Sequence, residues 1–315
     1  MDLSTRYLGL QLRHPFMPGA SPLTADIDTV RRLEDADAAA IVLPSLFEED
    51  IVRYERAADR YLEHIFRCKR RVAVPVIASL NGTTPESWLR YARLIEHAGA
   101  DAIELNVYHV ATDPTEDSPT VERRVIDIVA VLKESVAIPL AVKLTPFYSS
   151  LPHLAAALDR IGADGLVLFN RFYQPDIDPE RLEATWRLTL TDSSELGLRL
   201  HWIAILAGRV KASLGITGGV HDAIDAVKAI MAGANGVQLV SELIGLGPVR
   251  LHMILQEFAE WGTRHGYTSV SQMQGRASQQ QSRDPAAFQR GNYVRLLQAA
   301  QNTDMLIEQQ GGRSW

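Results

Sequence analysis

The sequence predicts an α/β protein built as a (β/α)8 TIM barrel, with a small hairpin before the barrel and a helical extension after it. Three observations predict this. Short apolar, β-branched runs alternate with longer amphipathic segments, the pattern of strand-helix units that feed a parallel sheet. Eight such runs can be counted, and the 315 residues, 46% of them apolar, suffice for one barrel with extensions. Three helix-to-strand junctions share one grammar, Ala98-Gly99-Ala100, Ile161-Gly162-Ala163 and Ala232-Gly233-Ala234, where glycine fits a left-handed helix stop.

Taken in order, Leu3 to Tyr7 and Leu10 to Leu12 flank Leu8-Gly9 as a hairpin that closes the barrel floor. The barrel strands are read at Phe16 to Pro18, Ala39 to Leu43, Pro75 to Leu80, Ala102 to Asn106, Leu140 to Leu144, Gly165 to Phe169, Leu214 to Thr217 and Gly236 to Val240. A 3.6-residue period marks helices at Ile27 to Asp35, Pro85 to Ala98, Val121 to Ser135, Leu151 to Ile161, Leu200 to Val210, Ala223 to Met231 and Val249 to His265. Arg53 to Lys69 carries a weaker helical pattern, and Thr84 before Pro85 reads as a helix cap. After the eighth unit a polar, Gln-rich stretch leads into a helix expected over Pro285 to Leu306. The division that follows is one barrel unit, residues 1–278, and an appendage, residues 279–315, that is not a domain of its own.

Composition narrows the function. A net charge of −6 argues against nucleic acid as the main partner, because phosphate-backbone binding needs a basic surface, so a small molecule is expected instead. Cys68 is the only cysteine, which rules out an internal disulfide and a multi-cysteine metal site and points to a reducing compartment. The nine histidines show no metal-ligand spacing, and no metal is expected. The longest apolar runs fall short of the roughly 18 residues a membrane span needs, and Met1 to Pro15 carries no apolar leader, so a cytoplasmic protein is expected.

In such barrels function sits where the strands end, on the carboxyl face. After the seventh strand comes Thr217-Gly218-Gly219, and after the eighth Val240-Ser241; bare backbone at the two glycines lets amide N–H groups approach a phosphate, or else simply makes a tight turn. Lys143 interrupts the apolar strand Ala141-Val142-Lys143-Leu144, and an unpaired buried ammonium costs several kcal/mol. It serves either an active site at the mouth or a salt bridge under the helices. Asn106 and Asn170 end the fourth and sixth strands with groups that read the edge of a heterocycle or tie down a loop. His109, three residues past Asn106, is either a proton carrier or a surface residue.

These residues bring a resemblance with them. His14-Pro15-Phe16-Met17-Pro18-Gly19-Ala20-Ser21, Glu104-Leu105-Asn106, Pro139 to Leu144, Thr217 to Val220 and Gly266 to Val270 together resemble, in order and spacing, the dihydroorotate dehydrogenase family of the cytosolic type. The resemblance implies flavin mononucleotide (FMN) as cofactor. Ala20 and Ser21 would line the flavin, Asn106 and Lys143 would face its ring, and Thr217, Gly218, Gly219, Val240 and Ser241 would hold its phosphate end. It also implies Asn106 and Asn170 as substrate ligands, His109 in the catalytic position, and a homodimer with a possible redox partner protein. The sequence departs from the family where a second active-site lysine should follow the second strand, since Leu43 or Pro44 stands there. Tyr54 to Lys69 likewise replaces the family's glycine-rich substrate loop, and the segment nearest the family's glycine-rich flavin stretch is Ser193 to Gly197.

The leading expectation is an FMN-dependent oxidoreductase that transfers hydride between flavin N5 and a small cyclic or unsaturated acid, dihydroorotate or a relative. The alternatives are a phosphate-binding barrel isomerase or lyase using Lys143 as base or amine, and a catalytically altered flavoprotein subunit of a redox complex.

Overall fold

A closed parallel barrel requires each strand to turn alternate side chains inward and outward toward the helices, and the strands of this protein alternate in that way. The structure is a computed structural model that describes residues 1–54, 56–82, 85–171, 175–185, 189–289, 293–295 and 297–298. The N-terminal hairpin pairs β1 (Thr5–Tyr7) with β2 (Leu10–Leu12). Barrel strands follow as β3 (Phe16–Pro18), β4 (Ile41–Phe47), β5 (Val76–Asn81), β6 (Ala102–Asn106), β7 (Leu140–Leu144) and β8 (Gly165–Leu168). A second hairpin, β9 (Asp176–Asp178) with β10 (Glu183–Thr185), precedes the last barrel strands, β11 (Ser213–Thr217) and β12 (Gly236–Leu239).

The eight barrel strands are all parallel and run in the spatial order β3-β12-β11-β8-β7-β6-β5-β4. The ends meet where the Ala39 amide donates to Phe16 O at 3.0 Å. Outward residues such as Ile41, Leu105, Val142, Leu166, Ile216 and Val237 form one large core with the helices. Inward residues Met17, Val42, Ile77, Ala102, Ala141 and Val167 form a second core with Tyr7, Leu8 and Leu12 of the hairpin. The hairpin is therefore the floor. Its three side chains are about 1% exposed, and each fully buried apolar side chain contributes roughly 1.5–3 kcal/mol. They fit because Gly165 and Gly215 lack side chains; a Cβ on Gly215 would lie 2.7 Å from the Tyr7 hydroxyl.

The surrounding helices are α1 (Ile27–Asp35), α2 (Glu48–Arg53), α3 (Ala57–Arg71), α4 (Pro85–His97), α5 (Ser118–Ser135), α6 (Leu151–Arg160), α7 (Leu196–Leu206) and α8 (Ala223–Ala232), with α9 (Ser241–Leu246), α10 (Val249–Arg264) and α11 (Val270–Met273) closing the chain. Gly99, Gly162 and Gly233 take φ of +96°, +92° and +128°, the left-handed stops that the three junctions predict.

Four expectations are corrected. The second barrel strand runs Ile41–Phe47 instead of Ala39 to Leu43, because a bulge between Val42 and Ser45 absorbs Pro44 and lets pairing with β5 continue. The weak helix over Arg53 to Lys69 is two helices, α2 and α3, broken at Tyr54. α7 begins at Leu196, four residues before the expected Leu200, since its apolar residues lie on all sides and give no stripe to set its register. In the extension, Pro285–Phe288 is a 3-10 turn, residues 293–295 and 297–298 are helical, and residues 290–292, 296 and 299–306 of the expected helix lie outside the described residues, as does the Thr84 cap. Among the described residues no helix is long and apolar enough to cross a membrane.

Candidate active site at the carboxyl face of the barrel

Lys143 is fourth in a five-residue strand, so the alternation that sends Leu140, Val142 and Leu144 to the helices sends Lys143 inward. Its ammonium lies 3.2 Å from Glu104 Oε1, and both side chains are almost wholly buried, 7% and 1% exposed. Glu104 Oε2 accepts from Gln238 Nε2 at 2.5 Å. Of the two sequence readings, the structure thus sets Lys143 inside the barrel and not under the helices. Breaking such a pair by removing one partner leaves an uncompensated buried charge.

One level higher stand the two asparagines. Asn106 pairs in register with Lys143 and is buried, and Asn170 Nδ2 donates to Asn106 Oδ1 at 2.6 Å. Ala20 packs against the interior core, and the Ser21 hydroxyl is buried with no hydrogen-bond partner among the described residues.

The loop after β11 is shaped by its glycines. Gly218 and Gly219 have φ of +83° and +79°, a region L side chains rarely adopt, and a Cβ on Gly219 would lie 2.6 Å from Leu196 N. Beneath Gly218 lies the buried Arg199, whose Nε donates to Thr217 O and Nη1 to Glu195 O, each at 2.6 Å. Burial lowers its pKa from the usual arginine value. Ser241 opens α9 and is buried; its Oγ accepts from Thr191 N at 3.0 Å, and Val240 beside it is half-buried. Ser193 and Ser194 form the turn leading into α7, so the segment proposed from the sequence does lie against this loop.

His109 stands apart from these groups. It is exposed on the loop after β6, with Nε2 3.2 Å from Glu116 Oε2 and 2.8 Å from Arg124 Nη1. The His109 ring and the Arg124 guanidinium hold the Glu116 carboxyl below its usual pKa. On the β4 side Leu43 is buried in the outer core, while half-buried Pro44 and Ser45 line a cavity of about 380 Å3 with Leu46, Tyr54, Tyr61 and His64. Ser45 Oγ lies 2.7 Å from Ser79 Oγ, and Tyr61 exchanges hydrogen bonds with the Ser79 backbone at 2.8 and 2.9 Å. Cys68 is buried, with a thiol pushed up to about 11, unsuited to nucleophilic work.

Sequence reasoning missed Glu104, Gln238, Arg199 and Thr191 as site residues. The signal was present for two of them: a charged or amide residue in Ile103-Glu104-Leu105 and Val237-Gln238-Leu239 interrupts an apolar strand just as Lys143 does.

An eight-stranded parallel barrel with a glycine loop after its seventh strand and a lysine-carboxylate pair inside its mouth has the architecture of a (β/α)8-barrel enzyme. The model of the family described as dihydroorotate dehydrogenase matches residues 54–261, and the chain belongs to that family of oxidoreductases. It is 28% identical over 303 residues to a Thermoplasma acidophilum protein named dihydroorotate dehydrogenase B (NAD(+)), catalytic subunit, covering 87% of this chain and 98% of the relative. A Desulforamulus reducens protein of the same name is 26% identical over 250 residues, 74% of this chain and 78% of its own. Limosilactobacillus reuteri dihydroorotate dehydrogenase A (fumarate) is 32% identical over 179 residues, 53% of this chain and 56% of the relative.

Proposed function

We propose that the protein is an FMN-dependent oxidoreductase acting on a CH–CH bond of a small cyclic or unsaturated acid, with dihydroorotate as the first compound to try. The observation that carries this reading is the Lys143 ammonium, fixed by Glu104 inside the same mouth that holds the glycine loop. Two further features fit a flat cofactor with a phosphate tail: the unpartnered Ser21 hydroxyl, and the Gly218-Gly219 cradle, which any side chain at Gly219 would fill. When bound, the flavin supplies the hydride acceptor at N5.

The residues do the rest. Ala20 and Ser21 line the cofactor, Thr217, Gly218, Gly219, Val240 and Ser241 hold its phosphate end, and Lys143 keeps a positive charge against the electron-rich ring. Asn106 and Asn170 orient the substrate, and Asn106 also touches the cofactor. His109 carries the proton lost from substrate carbon, with Glu116 and Arg124 setting its ring. Residues 1–278 act as one unit in a cytoplasmic homodimer, and residues 279–315 are an appendage to it.

The test is the visible spectrum of the purified protein, followed by anaerobic titration with dihydroorotate. Flavin bands that bleach establish the full activity. Bands that persist keep the cofactor and move the search to other acids, whereas a colourless protein that takes up no added flavin overturns the proposal. Pro44 at the second strand and the turn of His109 toward Glu116 favour a second reading, a flavoprotein subunit of a redox complex with altered chemistry; bound flavin without turnover across a panel of acids would establish it.

A further inference from the structure

Three hydrogen-bonding groups converge on one oxygen at the foot of the glycine loop. Thr191 Oγ1 lies 2.9 Å from Ser241 Oγ, 3.2 Å from His221 Nε2 and 3.5 Å from the Gly219 amide nitrogen. Thr191 is 7% exposed, so this oxygen is held in a nearly closed space. An amide N–H, a hydroxyl and an imidazole meeting at a single point form a donor set suited to an oxygen of a phosphate.

His221 is not free to swing away. Its Nδ1 lies 2.8 Å from Glu242 Oε2, and Arg250 Nε donates to the other oxygen of that carboxylate at 2.7 Å. Arg250 Nη2 also donates to His221 O at 3.1 Å, and the His221 amide donates to Asp225 Oδ2 at 3.2 Å. Asp225 is 2% exposed and accepts from Ser193 Oγ at 2.6 Å. With its Nδ1–H committed to Glu242, the ring presents Nε2 to the Thr191 oxygen. A ring that donates to Glu242 from Nδ1 and to a phosphate oxygen from Nε2 would carry an N–H on both nitrogens.

We propose that the Thr191 hydroxyl marks the seat of a phosphate oxygen, and that His221 is a ligand of the phosphate monoester bound there, with Glu242 and Arg250 as its positioning residues. This rests on the cofactor reading above for the identity of the monoester, and the same donors would also take free inorganic phosphate. His221 then adds a side-chain N–H to a cradle otherwise made of Gly219 N–H and Ser241 O–H.

The experiment compares the whole protein with its His221→Ala and His221→Gln variants, after bound cofactor is stripped, against FMN, riboflavin and inorganic phosphate. Riboflavin lacks the phosphate and reports everything else in the site. A hydrogen bond to a charged group contributes about 1.5–3 kcal/mol, so His221→Ala should weaken FMN about 10-fold or more, with riboflavin changing less than about 2-fold and His221→Gln recovering part of the loss. Equal losses for FMN and riboflavin, or no loss for either, overturn the proposal. Should wild-type protein bind neither flavin, the melting temperature in inorganic phosphate decides: stabilisation of wild type that His221→Ala abolishes and His221→Gln reduces keeps the phosphate ligand and removes the flavin reading, and its absence removes both. Where His221→Ala fails to fold, the same comparisons are read from His221→Gln alone.

Discussion

The two sides of the barrel mouth are made of different chemistry. Around β11 and β12, backbone amides, hydroxyls and charged side chains crowd together: Gly219, Thr191, Ser241, His221, Glu242 and Arg250 are linked by hydrogen bonds of 2.7–3.5 Å, and Arg199 donates to Thr217 O beside them. Around β4 and β5 the bulged strand offers Pro44 and Ser45, and the hydroxyls of Ser45 and Tyr61 are already engaged with Ser79. On the proposed reading the first side would grip a ligand largely through main chain, which leaves side chains little to specify beyond the absence of a Cβ. The second side would select through side chains, which a single substitution can rewrite. A cofactor can be kept while the substrate changes when the two tasks are divided in this way.

Lys143 stands between the two sides, so its removal has the largest expected effect. Lys143→Met should lower turnover about 100-fold or more, the scale seen when one preorganised charge-stabilising group is lost. It also leaves Glu104 buried and unpaired, with an expected cost of about 3–5 kcal/mol. The double variant Lys143→Met/Glu104→Gln separates the two consequences. It should regain most of the melting temperature and none of the turnover; a double variant that regained turnover would reduce Lys143 to a structural ion.

Gly219→Ala breaks the gripping side alone. Its φ of +79° and the 2.6 Å approach to Leu196 N mean that the loop must move to admit a methyl group, with strain on the order of 1–3 kcal/mol. Cofactor affinity, read by flavin fluorescence, should fall about 10-fold or more for a loss of that size. Asn170→Ala, at the other task, should raise the substrate KM and leave flavin affinity unchanged. If both variants moved both readouts equally, the division between the sides would fail.

Much of this was legible in the sequence, and the reasons differ by element. Strands β6 and β7 were placed to the residue, because each is a short apolar run with a clear start, the Gly99 junction before β6 and Pro139 before β7, and polar loop residues after it. The floor was legible because Leu8-Gly9 sits between two short alternating runs. β4 was not, since a bulge is a property of pairing with β5 and leaves no local mark beyond Pro44. α7 slipped because Leu196 to Leu206 is apolar on every side, so periodicity could not fix where it starts. Within the site, Lys143, Asn106 and Gly218-Gly219 announced themselves by breaking a local pattern. Thr191, Arg199 and His221 did not, because they meet only when residues 191, 199, 217–221 and 241 are folded together.

Leu8→Ala tests whether the floor is independent of the mouth. A buried leucine truncated to alanine costs about 2–5 kcal/mol, so the unfolding free energy from denaturant titration should drop by that amount. Flavin affinity should stay within about 2-fold of wild type if the change remains local. A large fall in affinity would mean that the hairpin tunes Lys143 through Tyr7, whose hydroxyl is buried where the Glu104 carboxylate acts on it.

The smallest effect concerns the seam where the two sides join. β3 pairs with β12 on one side and meets the start of β4 on the other through Ala39 N and Phe16 O, and His14 Nδ1 accepts the Phe16 amide at 3.2 Å. Burial pushes the His14 pKa down to about 4 from its usual 6.5. The unfolded chain therefore binds a proton at a higher pH than the folded one, so stability rises with pH across this interval. The contribution is complete above pH 6.5 and is lost as pH falls toward 4, by at most about 3 kcal/mol at 1.36 kcal/mol for each unit. His14→Asn keeps an acceptor near the Phe16 amide and cannot titrate. Denaturant unfolding at pH 7.5 and 4.5 should show a smaller acid loss in the variant than in wild type. Equal losses in the two proteins would clear His14 of any part in the acid sensitivity of the fold.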